Sequence, residues 1–246
     1  MQTLFLALLV AVSVEPGAPS ISPGGLVNAA TGQPAVAPYS IAALYGTNLF
    51  LNGAANSTGG VEIPETIAGV TVQVGGAPAG LFYISANQIN LLIPNSIAPG
   101  TYPVIVVRSG IASQSQLITI QPFAPGIFAA THADSTPITA DAPAVPGEVV
   151  IFYATGLGPA LPNPPDRSVS PSAAPIVQFA AFQVQLDGAT LDPSLIQYAG
   201  LAPFSAGLYQ VNVQLPQNLP LTNPQVILNV AGVQSQGGFT LITTSD

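Results

Sequence analysis

The sequence predicts an all-β protein of two tandem β-sandwiches, and its composition, hydrophobic periodicity and internal repeat all support this fold class. Of the 246 residues, 24 are Gly and 26 are Pro. Inside a helix, Gly costs about 1 kcal/mol and Pro about 3 kcal/mol relative to Ala, so long helices are disfavoured. Disorder is disfavoured too, because 48% of the residues are hydrophobic and can bury a core.

Hydrophobic periodicity places strands along the chain. Apolar and polar residues alternate in four segments, as they do in a strand with one buried face. These segments are residues 70–74, 89–93, 182–186 and 209–215. Two continuously apolar runs, residues 104–107 and 226–228, predict central strands or strands covered on both faces. Gly-containing turns stand between the segments, a spacing typical of a small sandwich.

An internal repeat divides the chain into two copies. Residues 88–120 align without gaps on residues 210–242 at nine identical positions, which include the pairs Gln88/Gln210 and Asn90/Asn212. Shorter matches upstream have smaller offsets, so we expect loop insertions in the second copy. Their predicted places are between Pro159 and Phe182 and around residues 200–207. The predicted sandwiches cover residues 19–121 and 122–246 and join near residues 121–125, where Pro122 and Pro125 stiffen the junction.

The N-terminus predicts export. Leu4 to Val14 form an apolar run of 11 residues, which is too short for a membrane-spanning helix but has the length of a signal-peptide core. Residues 1–18 are therefore expected to be a signal-peptide-like segment, although no Lys or Arg precedes the run; the alternative is a first buried strand. The expected location is secreted or at the cell surface, with no membrane span after signal removal.

Charge excludes two classes of partner. The chain has 2 basic and 10 acidic residues and a formal net charge of −8. With so few cations it cannot neutralise a run of phosphates, so nucleic acid and anionic membrane surfaces are not expected as partners.

Eight ordered motifs carry a family resemblance, at residues 26–30, 36–41, 45–49, 88–90, 124–128, 146–150, 153–159 and 207–213. They resemble an uncharacterised C-terminal domain family of secreted acidobacterial-type proteins over about residues 20–242. Each half is also similar to an IPT/TIG domain of the immunoglobulin-like superfamily. The resemblance implies two tandem immunoglobulin-like sandwiches on an exported protein. It implies no reaction, since such domains serve mostly as binding or spacer modules.

Catalytic chemistry is not supported by the residues present. His132 is the single histidine, with Asp134 or Asp141 as candidates to orient it, but no GxSxG motif occurs and a solvated loop histidine is expected. Glu62 and Glu65 flank Pro64, and a glycosidase-type pairing there would be accidental.

Metal and cofactor sites are not expected either. One His and no Cys cannot build a zinc site. A weak calcium site at Asp134 with Asp141, or at Asp187, is the remaining option, and an Asp-Gly pair is more often a hairpin turn. The sequence therefore predicts no metal, no cofactor and no catalytic residue.

Glycan binding is the specific function that the residues favour. Phe204, in the inserted loop at 201–207, is the expected exposed stacking residue, whereas Tyr45 and Tyr153 are expected to pack. The repeated pairs Gln88/Asn90 and Gln210/Asn212 have two interpretations: a ligand contact in each domain, or a structural tie from each strand to the backbone of a neighbouring loop. The overall prediction is a non-catalytic module that binds a glycan or protein partner or acts as a spacer. The alternative is a polysaccharide-acting hydrolase or its accessory domain.

Overall fold

The computed structural model describes residues 17–219 and 221–244, so the apolar run at 4–14 lies outside the described residues. Short antiparallel strands dominate the fold, with two 3-10 helices at Phe179–Ala181 and Pro193–Leu195. The strands are β1 (Ser20–Asn28), β2 (Ile41–Thr47), β3 (Ala54–Asn56), β4 (Thr66–Ile67), β5 (Val70–Val74), β6 (Ala77–Pro78), β7 (Gly80–Ser85), β8 (Gln88–Leu92), β9 (Gly100–Arg108), β10 (Ile111–Ala112), β11 (Gln116–Ile120), β12 (Gly126–His132), β13 (Val149–Thr155), β14 (Ala174–Pro175), β15 (Phe182–Leu186), β16 (Ala189–Thr190), β17 (Ile196–Leu201), β18 (Tyr209–Gln214), β19 (Gln225–Val230), β20 (Val233–Gln234) and β21 (Phe239–Thr240).

The strands form two immunoglobulin-like β-sandwiches with the same strand order, except that β4 has no counterpart among the described strands of the second half. In the first half, one sheet has the order β1-β2-β8-β7-β3, and the other has β10-β9-β5-β4 with β11 beside β9 and β6 beside β5. In the second half the corresponding sheets are β12-β13-β18-β17-β14 and β16-β15-β19-β20, with β21 beside β19. The predicted fold class is confirmed.

The buried residues follow the predicted alternation. Val70, Val72 and Val74 are fully buried on β5, as are Val211 and Val213 on β18. The apolar runs at 104–107 and 226–228 lie in β9 and β19, each between other strands of its sheet. Alternate residues of these strands are only half-buried, so the runs mark central strands rather than strands covered fully on both faces.

The two sandwiches are packed together. The core of the second half continues into Tyr39, Ile63 and Leu92 of the first. Burial raises the pKa of Tyr39 to about 12, and its hydroxyl donates to the carbonyl of Ser168. The hydroxyl of Thr155 accepts from the Ile41 amide at 2.9 Å and donates to a carbonyl of its own half at 2.8 Å. The division at 121/122 stays a prediction.

Candidate functional site

An apolar groove lies where an insertion of the second half meets the first half. It encloses about 510 Å³ and is lined by Val61, Phe204, Val169, four prolines, Asn163 and two serines of the 162–171 segment. Phe204 is 81% exposed, as the sequence predicted for an aromatic residue in an inserted loop. Its role in binding a ligand stays a prediction.

The backbone holds the Phe204 ring outward. Phe204 has a φ of +56°, in the left-handed region that is unfavourable for a bulky L-residue. Its amide donates to the Ser170 carbonyl at 2.7 Å, and the Ser170 amide donates to the Ser205 carbonyl at 2.9 Å. Hydrogen bonds in both directions fix the loop, so the exposed ring is preorganised at a conformational cost.

The other wall of the groove depends on the segment around Arg167. The Arg167 guanidinium pairs with Glu62 at 2.8 Å and with Glu65 at 3.4 Å. The Ile63 amide donates to the Arg167 carbonyl at 2.7 Å, and both carboxylate oxygens of Asp166 accept from Ser96 at 2.7 and 2.6 Å. The two glutamates thus bind one guanidinium of the other half, which is a structural use of both carboxylates.

Each repeated amide pair is hydrogen-bonded within itself. Gln88 Nε2 donates to Asn90 Oδ1 at 2.8 Å, and Gln210 Nε2 donates to Asn212 Oδ1 at 2.8 Å. The interpretation of these side chains as ties to the backbone of a neighbouring loop is therefore wrong. Residues two apart on a strand point to the same face, so the nearest partner of each amide is the other member of its pair.

The first-half pair faces a second groove, of about 370 Å³, at the boundary between the halves. Gln88 and Asn90 form part of it together with Tyr45, and Phe128 contributes from the second half. Tyr45 is 43% exposed and Phe128 is 36% exposed. The expectation that Tyr45 packs in its sheet is thus wrong, because its ring lies on the outer face of β2, beside Gln88 in the strand register.

His132 is a structural residue rather than a solvated loop residue. It lies at the end of β12, where Nδ1 is 2.9 Å from a Glu148 carboxylate oxygen and Nε2 is 3.1 Å from the Ala142 carbonyl. The Glu148 hydrogen bond raises the pKa of His132. Both nitrogens face acceptors, so neither is placed to take a proton from a serine hydroxyl. The carboxylate that orients His132 is Glu148, and not either of the two candidates, Asp134 and Asp141.

Two of the candidate calcium ligands, Asp134 and Asp187, accept hydrogen bonds from the backbone. Asp134 Oδ1 accepts from the amide and hydroxyl of Thr136 at 3.0 and 2.6 Å, and these bonds lower the pKa of Asp134. Asp187 Oδ1 accepts from the Gln225 amide at 2.8 Å. Within residues 17–219 and 221–244, no three metal-ligating side chains come together. None of the helices described there is long and apolar enough to cross a bilayer.

The four sheets define an all-β protein built from two immunoglobulin-like β-sandwiches. Neither family models nor curated proteins match the chain. Among solved structures it is similar to SGBP-B of the Bacteroides ovatus mixed-linkage glucan utilization locus in complex with a mixed-linkage heptasaccharide (14% identity, TM-score 0.35, 87% of this chain and 45% of that chain). It is similar also to the plexin A4 extracellular region (13%, TM-score 0.31, 91% and 18%). A third is an auxiliary nutrient binding protein from Bacteroides ovatus (10%, TM-score 0.27, 93% and 61%). The chain spans less than two thirds of each, and likeness at this level assigns no ligand.

Proposed function

We propose that the chain is a non-catalytic module of a secreted or cell-surface protein, and that it binds an uncharged glycan through Phe204. The observation that carries the proposal is the Phe204 ring, 81% exposed and held outward in a left-handed conformation. A residue kept in this conformation without burying its side chain contributes little to folding, and such strain is found at ligand clamps. Flat aromatic faces are the surfaces on which sugar rings stack.

Charge favours an uncharged ligand. The net charge is −8 and the sequence has only two basic residues apart from His132. Arg108 donates to the carbonyls of Asn48 and Gly17, and Arg167 is paired with Glu62 and Glu65. Both guanidinium groups are thus engaged within the protein, and its overall field repels polyanions.

A binding role fits the ionisable groups better than a hydrolytic one. General acid–base catalysis needs a titratable side chain within reach of a substrate. His132 and Glu148 bind each other, and the carboxylates of Glu62 and Glu65 bind Arg167. The location at the cell surface or outside the cell has separate support. It comes from the apolar run at 4–14 and from the resemblance to IPT/TIG-like domains of exported acidobacterial-type proteins.

Affinity electrophoresis in gels that contain β-glucan, xylan or mannan tests the proposal, with alginate as the anionic comparison. We expect at least one neutral polysaccharide to retard the full chain and alginate not to retard it. Phe204→Gly should weaken this binding about tenfold or more without lowering the melting temperature, because glycine relieves the left-handed strain.

Phe179→Ala is the matched control, since Phe179 is also an exposed phenylalanine of the second half but does not line the groove. Equal loss of binding in the two variants, or retention of full binding by Phe204→Gly, would contradict the assignment. If the chain binds a protein and none of the neutral polysaccharides, the glycan proposal is wrong and the ligand is a protein.

A further inference from the structure

We propose a second sugar-binding site in the groove between the two halves, where Gln88 and Asn90 form a polar floor and Tyr45 and Phe128 form aromatic walls. It takes the same class of ligand as the proposed function, uncharged sugar, but it uses a different surface of the protein. The two proposals therefore fail separately.

The strand register explains why a depression forms here. On the outer face of the sheet, Tyr45 lies opposite Gln88, and the small Ala43 lies opposite Asn90. On the β2 side, a large side chain thus lies beside Gln88 and a small one beside Asn90, while Tyr83 flanks Asn90 on the β7 side. Because the Ala43 side chain is small, the groove extends over Asn90 on this face of the sheet.

The opposite wall comes from a β-bulge. In the pairing of β12 with β13, Ile127 is opposite Ala154 and Ala129 is opposite Tyr153, so Phe128 is the extra residue. Bulges redirect a side chain and are common beside functional sites. This one places Phe128 of the second half along a groove whose floor belongs to the first half, so a ligand there contacts both halves.

The amide pair presents the hydrogen-bonding groups that a sugar diol needs. Its internal bond uses one Gln88 donor and the Asn90 carbonyl oxygen. The Asn90 NH₂ group and the Gln88 carbonyl oxygen make no further hydrogen bond within residues 17–219 and 221–244. Two donors and an acceptor thus face the groove, and adjacent sugar hydroxyls can accept from the first and donate to the second.

In the second copy, the Tyr198 side chain occupies the position beside Gln210. Gly200 lies opposite Gln210, and a Cβ on Gly200 would clash with the hydroxyl of Tyr198. Tyr198 therefore lies across that position, where its hydroxyl donates to the Leu201 carbonyl at 2.8 Å, and burial raises its pKa. The first-copy residue equivalent to Gly200 is Ser85, which bonds to the backbone of Gln88, and the residue equivalent to Tyr198 is Tyr83, opposite Asn90. The copies also differ on the other side of the pair, where Ile151 lies opposite Asn212 but the smaller Ala43 lies opposite Asn90.

The test is an NMR titration of the full chain with cellohexaose, mannohexaose and xylohexaose, which reads the side-chain NH₂ signals of Asn90 and Asn212. We expect a saturable shift at Asn90 and none at Asn212, and we expect the Asn90 shift to persist in Phe204→Gly. Asn90→Asp keeps an acceptor for Gln88 Nε2 but removes the two free donors. It should weaken this site about tenfold, and the matched Asn212→Asp should leave it unchanged.

The outcomes separate the two proposals. Binding that depends on Phe204 and leaves the Asn90 signals unmoved would overturn this inference and leave the proposed function in place. Shifts at Asn90 with full binding by Phe204→Gly would support this site and overturn the Phe204 assignment. Equal shifts at Asn90 and Asn212 would show that the groove does not select between the pairs and would overturn the inference, as would no binding of any of the three sugars.

Discussion

The two halves of the molecule have the same strand order but use their loops differently. In the first half, short connections meet the second half at a few points, where the Ile63 amide bonds to Arg167 and Ser96 bonds to Asp166. In the second half, the segment from 159 to 181 reaches back to pair with Glu62 and Glu65, and the loop from 202 to 208 carries Phe204. The insertions of the second half thus line the groove at Phe204, whereas the groove at Asn90 is formed mainly by strands of both halves.

Backbone conformation gives the sharpest test of this comparison. Asn48 follows β2 with a φ of +54°, and Gly156 follows β13 at the equivalent repeat position with a φ of +75°. Any Cβ on Gly156 would overlap the Ala124 carbonyl, which also accepts a hydrogen bond from Asn28. Gly156→Ala should therefore lower the free energy of unfolding by about 3 kcal/mol or more, as measured by urea denaturation.

Asn48→Gly is the matched change in the first half. Glycine accepts the same φ, so the free energy of unfolding should change by about 0.5 kcal/mol or less. Similar losses in both variants would mean that the close approach of the Ala124 carbonyl is not what makes Gly156 necessary.

The two arginines differ in where their partners lie: Arg108 binds groups of its own half, and Arg167 binds glutamates of the other half. Arg108 is buried and donates to two carbonyls of the first half, so Arg108→Gln should cost about 1–3 kcal/mol. Arg167 pairs with glutamates that are 53% exposed, so Arg167→Gln should cost about 1 kcal/mol or less. Denaturation in 1 M NaCl should remove the Arg167 effect and keep the Arg108 effect; the reverse salt dependence would contradict this comparison.

Local patterns predicted the sandwiches, whereas the contacts between halves had no local signal. Strand alternation and turn glycines are read within a few residues, so β5, β8, β15 and β18 could be placed from sequence. Arg167 meets Glu62 across about a hundred residues, and no periodicity specifies that pairing. His132 and Glu148 are also brought together by pairing of β12 with β13. The internal hydrogen bond of each Gln/Asn pair could have been predicted from their spacing of two on one strand.

A pH titration compares the ends of β1 and β12. The first ends at Asn28, which does not titrate, and the second at His132, whose pKa is raised by the Glu148 carboxylate. A raised folded pKa means that the protonated form is stabilised, so this contribution is full below the unfolded value of about 6.5. It is lost as the pH rises through the higher folded pKa. The melting temperature should fall over that window in the wild type, and Glu148→Gln should flatten the fall; an unchanged slope would show that the pair does not contribute.

The smallest effect on stability is expected at the two amide pairs. Each Asn90 or Asn212 side chain is half-buried and accepts from its own Gln, whose amide can turn to water when the partner is removed. No buried backbone group loses its partner, so Asn90→Ala and Asn212→Ala should each change the free energy of unfolding by less than about 0.5 kcal/mol. The measurement is urea denaturation of both variants without sugar. A loss of 1 kcal/mol or more in either would restore a structural role for that pair. Equal stability of the two variants means that a difference between them with sugar present comes from the groove at Asn90 and not from folding.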